Sequence, residues 1–552
     1  MALTLSKEKI KSWLKDRHNA IFLGILLFAI FIRLYYWLLT KTQALWWDEA
    51  DYLAYAKNLA GFPTDWIVTA KHNSLYPYLV SVFFKIGASE MFTKFFLQVI
   101  PSILSVVLVY LLANQMYSDK RIGIIASAVM SVFWVSLFNT ARFHIDILAL
   151  FLGLLTCYIF WVGYEKKNKI FGKLDPKWTI PLTVLLVILT YSIRRGYFLI
   201  GLFIFLYMIL TTKFSQIVKN KYNWIGLIGG AVVFLLVENT IFQSGITSVS
   251  EGYYHTEYPI AFAPLRIFSD FFLNIGSQTG YILFILFWVG FLVACANLVL
   301  SAGYINKSTL KTKSDLFNII SIVSTLVFFM VVLRTPGTPG EARWYLPIAL
   351  ASFIFISQSA VWILDSLKKY HKYIALAVVL ILIAVSAYGQ IKYSDATVRH
   401  SLNSFEGIKE AGLYIKDNSY TYDQVLTVPA PQIAYYSERS AIRPAQWIGW
   451  NGSNDDIPQD EIFDKIRESP LVRYLVVSFS EPNHPLWMKT ITSAQKPNGE
   501  EILVTWEIPF MDTKINFITD AQDIKQTKTY GDITFKLAAI RNEVFVYEII
   551  RG

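Results

Sequence analysis

The sequence predicts a polytopic α-helical membrane protein that ends in a soluble domain of α/β or α+β type. Three observations predict it. Of 552 residues, 54% are hydrophobic and 16% charged, with a mean hydropathy of +0.43; soluble domains carry about 25% charged residues. The apolar residues collect in eleven runs close to the length of about 20 that spans a bilayer. Beyond residue 391 the apolar runs shorten and become rich in Val and Ile, as strands do.

The eleven candidate spans are 19–40, 95–117, 122–138, 147–164, 178–193, 197–211, 223–241, 279–302, 316–333, 345–363 and 373–391. The pair flanking "SIRRG" (Ser192 to Gly196) also reads as one broken hairpin. "KHNSLYPYLVSVFF" (Lys71 to Phe84) is apolar but interrupted by Pro77, and reads as an interfacial helix. The first run is too long for a signal-peptide core and no small-residue cleavage site follows it. This organisation sets a membrane domain at 1–391, whose first outer loop is 41–94, and a soluble domain at 392–552. In the latter, "EGIKEAGLYIKDN" (Glu406 to Asn418) has helical apolar spacing, while "DQVLTV", "VRYLVVSF", "EILVTWEI" and "EVFVYEII" read as strands.

The net charge of +10 does not point to nucleic acid, because Lys and Arg lie in short clusters between apolar runs. One alternating set of connecting segments (1–18, 118–121, 165–177, 212–222, 303–315 and 364–372) holds 21 Lys and Arg. The opposite set is longer in sum and holds fewer. The positive-inside rule then predicts a cytoplasmic N-terminus, and an odd number of spans an extracytoplasmic C-terminus. Cys157 and Cys295 both lie in apolar runs, so no disulfide framework is expected. There is no GxxxxGK[ST] phosphate loop, no GxGxxG before a helix, no CxxC and no HExxH. Neither a nucleotide nor a redox cofactor is expected.

Polar groups concentrate in the segments assigned to the outer face. "LWWDEADYLAYAKNLAG" (Leu45 to Gly61) carries Asp48 and Glu49, and its loop adds Lys71, His72 and Tyr76. "NTARFHID" supplies His144 and Asp146, "IRR" supplies Arg194 and Arg195, and "RTPGTPGEARW" supplies Glu341 and Arg343. Charged groups at several span ends on one face suggest a shared cavity. Asp48 is expected to cap a helix closed by Gly61, with Glu49 favouring the positive helix end. Trp46 and Trp47 read as interfacial belt residues. Asp146 begins a span, where an acid needs a partner. His144 reads as an interfacial residue or a ligand. Arg343 reads as an interface anchor, a partner of Glu341 or a phosphate ligand.

A first span followed by "WWDEADYLAYAKNLAG", "HNSLYPYLVSVFFKIGASE" and "DKRIGIIASAVMSVFW", with "EARWYLP" (Glu341 to Pro347) later, resembles the membrane glycosyltransferases of the GT-C superfamily. The nearest branches are the protein O-mannosyltransferases and the aminoarabinose transferases. The resemblance implies a sugar donor linked to dolichyl or undecaprenyl phosphate. It also implies a hydroxyl acceptor on protein, lipid or glycan, inversion at the anomeric carbon, and an active site on the outer face of the plasma membrane. By motif, Asp48 matches the first-loop catalytic acid and Glu49 the second acid of that pair. Asp146 matches a further acidic position near the start of the fourth span, and Arg343 a basic residue facing the donor phosphate. Lys71, Arg194 and Arg195 are further candidates for that phosphate, and His72, Tyr76, His144 and Glu341 for support. Asp48 and Asp146 with a phosphate could hold a divalent cation such as Mg or Mn. "WIGWNGSND" (Trp447 to Asp455) lacks a contiguous WWDYG-type motif, which counts against transfer of whole oligosaccharides to asparagine. The competing reading is a transporter or lipid flippase, which would carry buried charges through the membrane.

Overall fold

The computed structural model describes residues 13–67, 73–242, 260–272, 280–301, 309–333, 341–444, 459–478, 504–507, 514–517, 527–542 and 544–552. The chain is a polytopic helical membrane protein with a C-terminal α/β domain. It forms two compact units, one of Met1–Leu39 with Lys94–Val398 and one of Thr40–Thr93 with Arg399–Gly552. This differs from the division at residue 391. The last long helix continues unbroken from Lys372 to His400, and Thr40–Thr93 belongs with the C-terminal residues.

Among the described residues of the helical unit, nine helices are long and apolar enough to cross a membrane: Arg17–Leu39, Glu90–Tyr117, Ile145–Glu165, Pro176–Ile193, Lys221–Phe242, Gly280–Ser301, Leu310–Val332, Ala342–Lys368 and Lys372–His400. The run expected at 122–138 is a bent pair, Lys120–Val132 and Trp134–Thr140, which meet at 49°. The run at 197–211 belongs to a shorter apolar helix, Arg195–Thr211. Phe133 takes an extended conformation at the bend and breaks the helical ladder. Backbone groups released there have no water to bind, so the protein must satisfy them. Arg33, fully buried in the first span, donates to the carbonyls of Met130 (3.2 Å) and Ser131 (2.9 Å) and to Ser102 Oγ (2.7 Å). Gln390 Oε1 accepts the Trp134 N–H at 3.1 Å.

The second unit is built on a six-stranded sheet. Its strands are β1 (Gln424–Thr427), β2 (Ser440–Ile442), β3 (Val472–Ser478), β6 (Thr527–Tyr530), β7 (Ile533–Arg541) and β8 (Val544–Arg551). Their order is β2-β1-β3-β8-β7-β6, and β4 (Val504–Glu507) and β5 (Lys514–Phe517) pair separately. The β2-β1-β3 part is parallel and the β3-β8-β7-β6 part antiparallel. Alternation along the strands gives the sheet two apolar faces. Leu426, Leu475, Val477, Phe545 and Tyr547 pack with Ile462, Phe463 and Ile466 of the helix Gln459–Glu468. Val425, Tyr474, Val476, Val544 and Val546 pack with Ile408, Ala411 and Ile415 of the helix Glu406–Asn418. That helix matches its sequence expectation residue for residue, and each of the four expected strands overlaps an observed one.

Candidate functional site

In the helical unit, four residues singled out in the sequence come together. The helix Ile145–Phe160 starts after His144, which takes the extended N-cap conformation, and Asp146 lies in the first turn. A carboxylate is favoured there by the positive helix end. Asp146 is 1% exposed and neither of its oxygens has a hydrogen-bond partner among the described residues. Buried charge needs a counter-charge, and two arginines supply it. Arg194 Nε lies 3.2 Å from Asp146 Oδ1, and Arg343 Nη1 lies 3.9 Å from Oδ2. Arg343 Nη1 is also 2.8 Å from His144 Nδ1. Tyr197 Oη donates to the Asp146 carbonyl oxygen at 3.3 Å.

The backbone explains why these arginines reach Asp146. The helix Thr179–Ile193 ends at Arg194, which is extended, and a single 3-10 turn follows from Arg195 to Tyr197. Arg194 and Arg195 therefore point to different partners: the Arg195 guanidinium lies 4.2 Å from the Phe242 ring centroid. Arg343 sits in the 3-10 helix Glu341–Ile348, tightened ahead of Pro347 and continuous with the helix Ala349–Lys368. Glu341 opens that segment.

In the second unit, the acidic stretch forms the helix Trp47–Ala60, closed by Gly61 at a left-handed φ of 94°. The expected cap is corrected here. The N-cap is Trp46, and Glu49 Oε2 accepts the Trp46 backbone N–H at 3.0 Å. Glu49 is 3% exposed and does structural work, whereas Asp48, one position earlier, is half-buried. Asp51, not singled out in the sequence, is 2% exposed and accepts the Trp66 indole N–H at 2.8 Å. The tryptophans are also not mere belt residues. Trp46 meets the Phe405 ring edge-on at 6.0 Å, and the Arg443 guanidinium lies 5.6 Å from the rings of both Trp47 and Trp66.

Long-range bonds fasten this loop to the C-terminal residues. The Leu45 N–H donates to Tyr436 Oη at 2.8 Å, and Lys409 Nζ to the Thr42 carbonyl at 2.7 Å. Lys57 Nζ is 2.9 Å from Glu438 Oε1, whose other oxygen pairs with Lys416 at 2.9 Å. Burial holds the Lys57 ammonium below its usual value. Burial alone would raise the Glu438 carboxyl, but the hydrogen bonds from Lys416 and Lys57 outweigh it and lower it. Pro77 starts the helix Tyr76–Lys85 rather than interrupting it, and Tyr76 is fully buried against Tyr52. Lys71, His72 and the Trp447 to Asp455 motif lie outside the described residues.

Among the described residues, no group of three or more His, Cys, Asp and Glu is placed to hold a metal ion. The surroundings of Asp146 do not fit one: its ion-pair partners are two guanidiniums, and the His144 Nδ1 lies 3.7 Å from it.

Residues 71–238, which include Asp146, Arg194 and Arg195, match the family model of the dolichyl-phosphate-mannose-protein mannosyltransferases. The whole chain is similar in structure to the apo oligosaccharyltransferase of Archaeoglobus fulgidus, with a TM-score of 0.60 and 13% identity, over 93% of this chain and 76% of that one. It is similar to apo ArnT of Cupriavidus metallidurans over 98% of both chains, with a TM-score of 0.58 and 10% identity. The chain has the GT-C fold. A mycobacterial arabinofuranosyltransferase, AftD, shares this GT-C architecture at a TM-score of 0.52 and 11% identity, over 96% of this chain and 40% of that one. No curated protein matches the sequence.

Proposed function

We propose that this GT-C chain is an inverting glycosyltransferase that moves a sugar from a polyprenyl-phosphate donor to a hydroxyl acceptor at the outer face of the plasma membrane. The observation that carries the reading is the pair of part-exposed arginines, Arg194 and Arg343, gathered on the buried Asp146. Such a pair suits a lipid-linked phosphate, since a planar guanidinium can grip two phosphate oxygens. Two proteins of the same fold support the donor class. The Archaeoglobus enzyme is known in complex with an inhibitory peptide and a dolichol-phosphate, and ArnT bound to undecaprenyl phosphate.

In the reaction, the acceptor oxygen forms a bond to the anomeric carbon as the bond from that carbon to the phosphate oxygen breaks. The acceptor proton passes to a general base, for which we propose Asp48. The departing lipid phosphate is a monoester with a second pKa of about 6, so it leaves without a general acid once cations hold its charge. Arg343 and Arg194 are proposed for that role. The C-terminal domain is proposed to carry no base and to serve acceptor recognition.

The protein in lipid nanodiscs, supplied with polyprenyl-phosphate-linked sugars and candidate acceptors, tests this. Acceptor-dependent release of free polyprenyl phosphate, with the sugar on the acceptor, is the expected result. In vesicles, passage of intact lipid-linked sugar across the bilayer with no cleavage would instead establish the flippase reading.

A further inference from the structure

We propose that His144 and Asp146 are positioning residues that set two arginines into a single phosphate grip, and that Asp146 is not the base. This rests on the reading that Arg343 binds the donor phosphate.

The cluster has two layers. The Arg194 and Arg343 side chains are 23% and 22% exposed, whereas Asp146 and His144 behind them are 1% and 7% exposed. A base must come within hydrogen-bond reach of the hydroxyl it deprotonates. Both Asp146 oxygens are shut away from solvent, so the groups a ligand meets are the guanidiniums. Asp146 offers one oxygen to each arginine: Oδ1 to Arg194 and Oδ2 to Arg343. Two neighbouring guanidiniums repel one another, and a carboxylate between them cancels that repulsion and spaces them by its own width. The Tyr197 hydroxyl bond to the Asp146 carbonyl holds this turn in place.

His144 supplies the remaining constraint. A guanidinium has five donors and no acceptor. The 2.8 Å contact between Arg343 Nη1 and His144 Nδ1 therefore requires Nδ1 to be the acceptor. The imidazole is neutral, with its proton on Nε2. His144 fixes one nitrogen of the part-exposed Arg343 guanidinium and so sets the plane it presents. Neutrality matters, because an imidazolium would add a third positive charge and remove the acceptor.

Three substitutions at 144 test this through donor KM and kcat, with thermal stability measured alongside. His144→Asn places an amide oxygen near the Nδ1 position, and His144→Gln places its polar end near Nε2. His144→Leu removes both. Losing one hydrogen bond to a charged group corresponds to about a 10- to 100-fold change. We expect Leu and Gln to raise donor KM by that factor, with any fall in kcat no larger than that of Arg343→Lys, and Asn to recover most of the affinity. Asp146→Asn should likewise raise donor KM and lower kcat no further than Arg343→Lys does; a larger fall in kcat at constant donor KM would identify Asp146 as a reacting group and overturn the proposal. Arg343→Lys separates the two levels. If it raises donor KM while His144→Leu and His144→Gln do not, His144 has no positioning role and the phosphate assignment stands. If Arg343→Lys leaves donor KM and kcat unchanged, the phosphate assignment itself is wrong. The Asn and Gln variants are both polar, so their contrast remains readable if the Leu variant folds poorly.

Discussion

Glu49 Oε2 accepts the backbone N–H of Trp46 at 3.0 Å, so the N-terminus of the helix that carries Asp48 is capped by the acid that follows it. The two adjacent carboxylates are thereby separated in task. One holds the helix, and the other is the proposed base.

Substitution of Asp48 should therefore affect chemistry and spare the fold. Asp48→Asn is expected to lower sugar transfer by about 10²–10⁴-fold, the usual contribution of a general base. Thermal stability should stay within a degree or two of wild type. Glu49→Gln keeps an acceptor oxygen at the cap and should lose little activity. Glu49→Ala removes the cap bond and should cost about 1 kcal/mol of local stability. Near-normal transfer by Asp48→Asn in detergent would remove Asp48 from the mechanism.

The Lys57–Glu438–Lys416 cluster predicts a pH dependence. Hydrogen bonds from the two lysines outweigh burial and hold Glu438 below its ordinary value of about 4.3. A carboxylate with a lowered folded pKa stabilises the fold above its unfolded pKa, and this stabilisation is lost as pH falls through the folded one. Glu438→Gln should lower the thermal midpoint at pH 7, where the lost hydrogen bonds to charged groups are worth about 1.5–3 kcal/mol. The difference from wild type should start to shrink as pH falls below about 4.3 and vanish only once pH is below the lowered folded value. A gap that persists unchanged into acid would mean the ion cluster contributes nothing.

Gly290 marks a close helix packing against backbone. A Cβ there would come within 2.1 Å of the Phe355 carbonyl oxygen, and the Ser359 hydroxyl already donates to the Leu286 carbonyl at 2.6 Å. Gly290→Ala must push the helices Gly280–Ser301 and Ala349–Lys368 apart. Overpacking of this kind costs about 1–3 kcal/mol. A lowered melting temperature in detergent is expected, whereas Gly229→Ala, with open space around it, should be neutral or slightly stabilising.

The orientation proposed from the loop charges is testable at Asp464, exposed on the helix Gln459–Glu468. In intact cells Asp464→Cys should react with an impermeant thiol reagent. The native Cys157 is buried and Cys295 lies within a membrane helix, so the background should be low. Labelling only after lysis would invert the topology.

Much of the helical unit was legible because lipid imposes a length and a composition on each span, and both are local properties. The bend at Phe133 was not, because it depends on Arg33 and Gln390, which lie 97 and 256 residues from the groups they satisfy. Arg33 did leave a signal, as a lone charge inside the first apolar run. In the soluble domain, runs such as "RYLVVS" announced themselves by Val and Ile. "ITFKLAAIR" did not: its lysine and alanines are poor strand formers, and pairing with β8 on one side and β6 on the other holds it extended.

The sequence by itself determined the class of protein, most of the spans, the helix closed at Gly61 and the short list of charged residues, because periodicity, length and turn chemistry act over a few residues. Only the tertiary structure decided which of those residues meet. Asp146, Arg194 and Arg343 lie at or beside the ends of three separate helices, and Arg443 meets Trp47 and Trp66 from far along the chain. The physical reason is that an ion pair or a ring contact depends on distance in space, which the order of residues along a strand or helix does not specify.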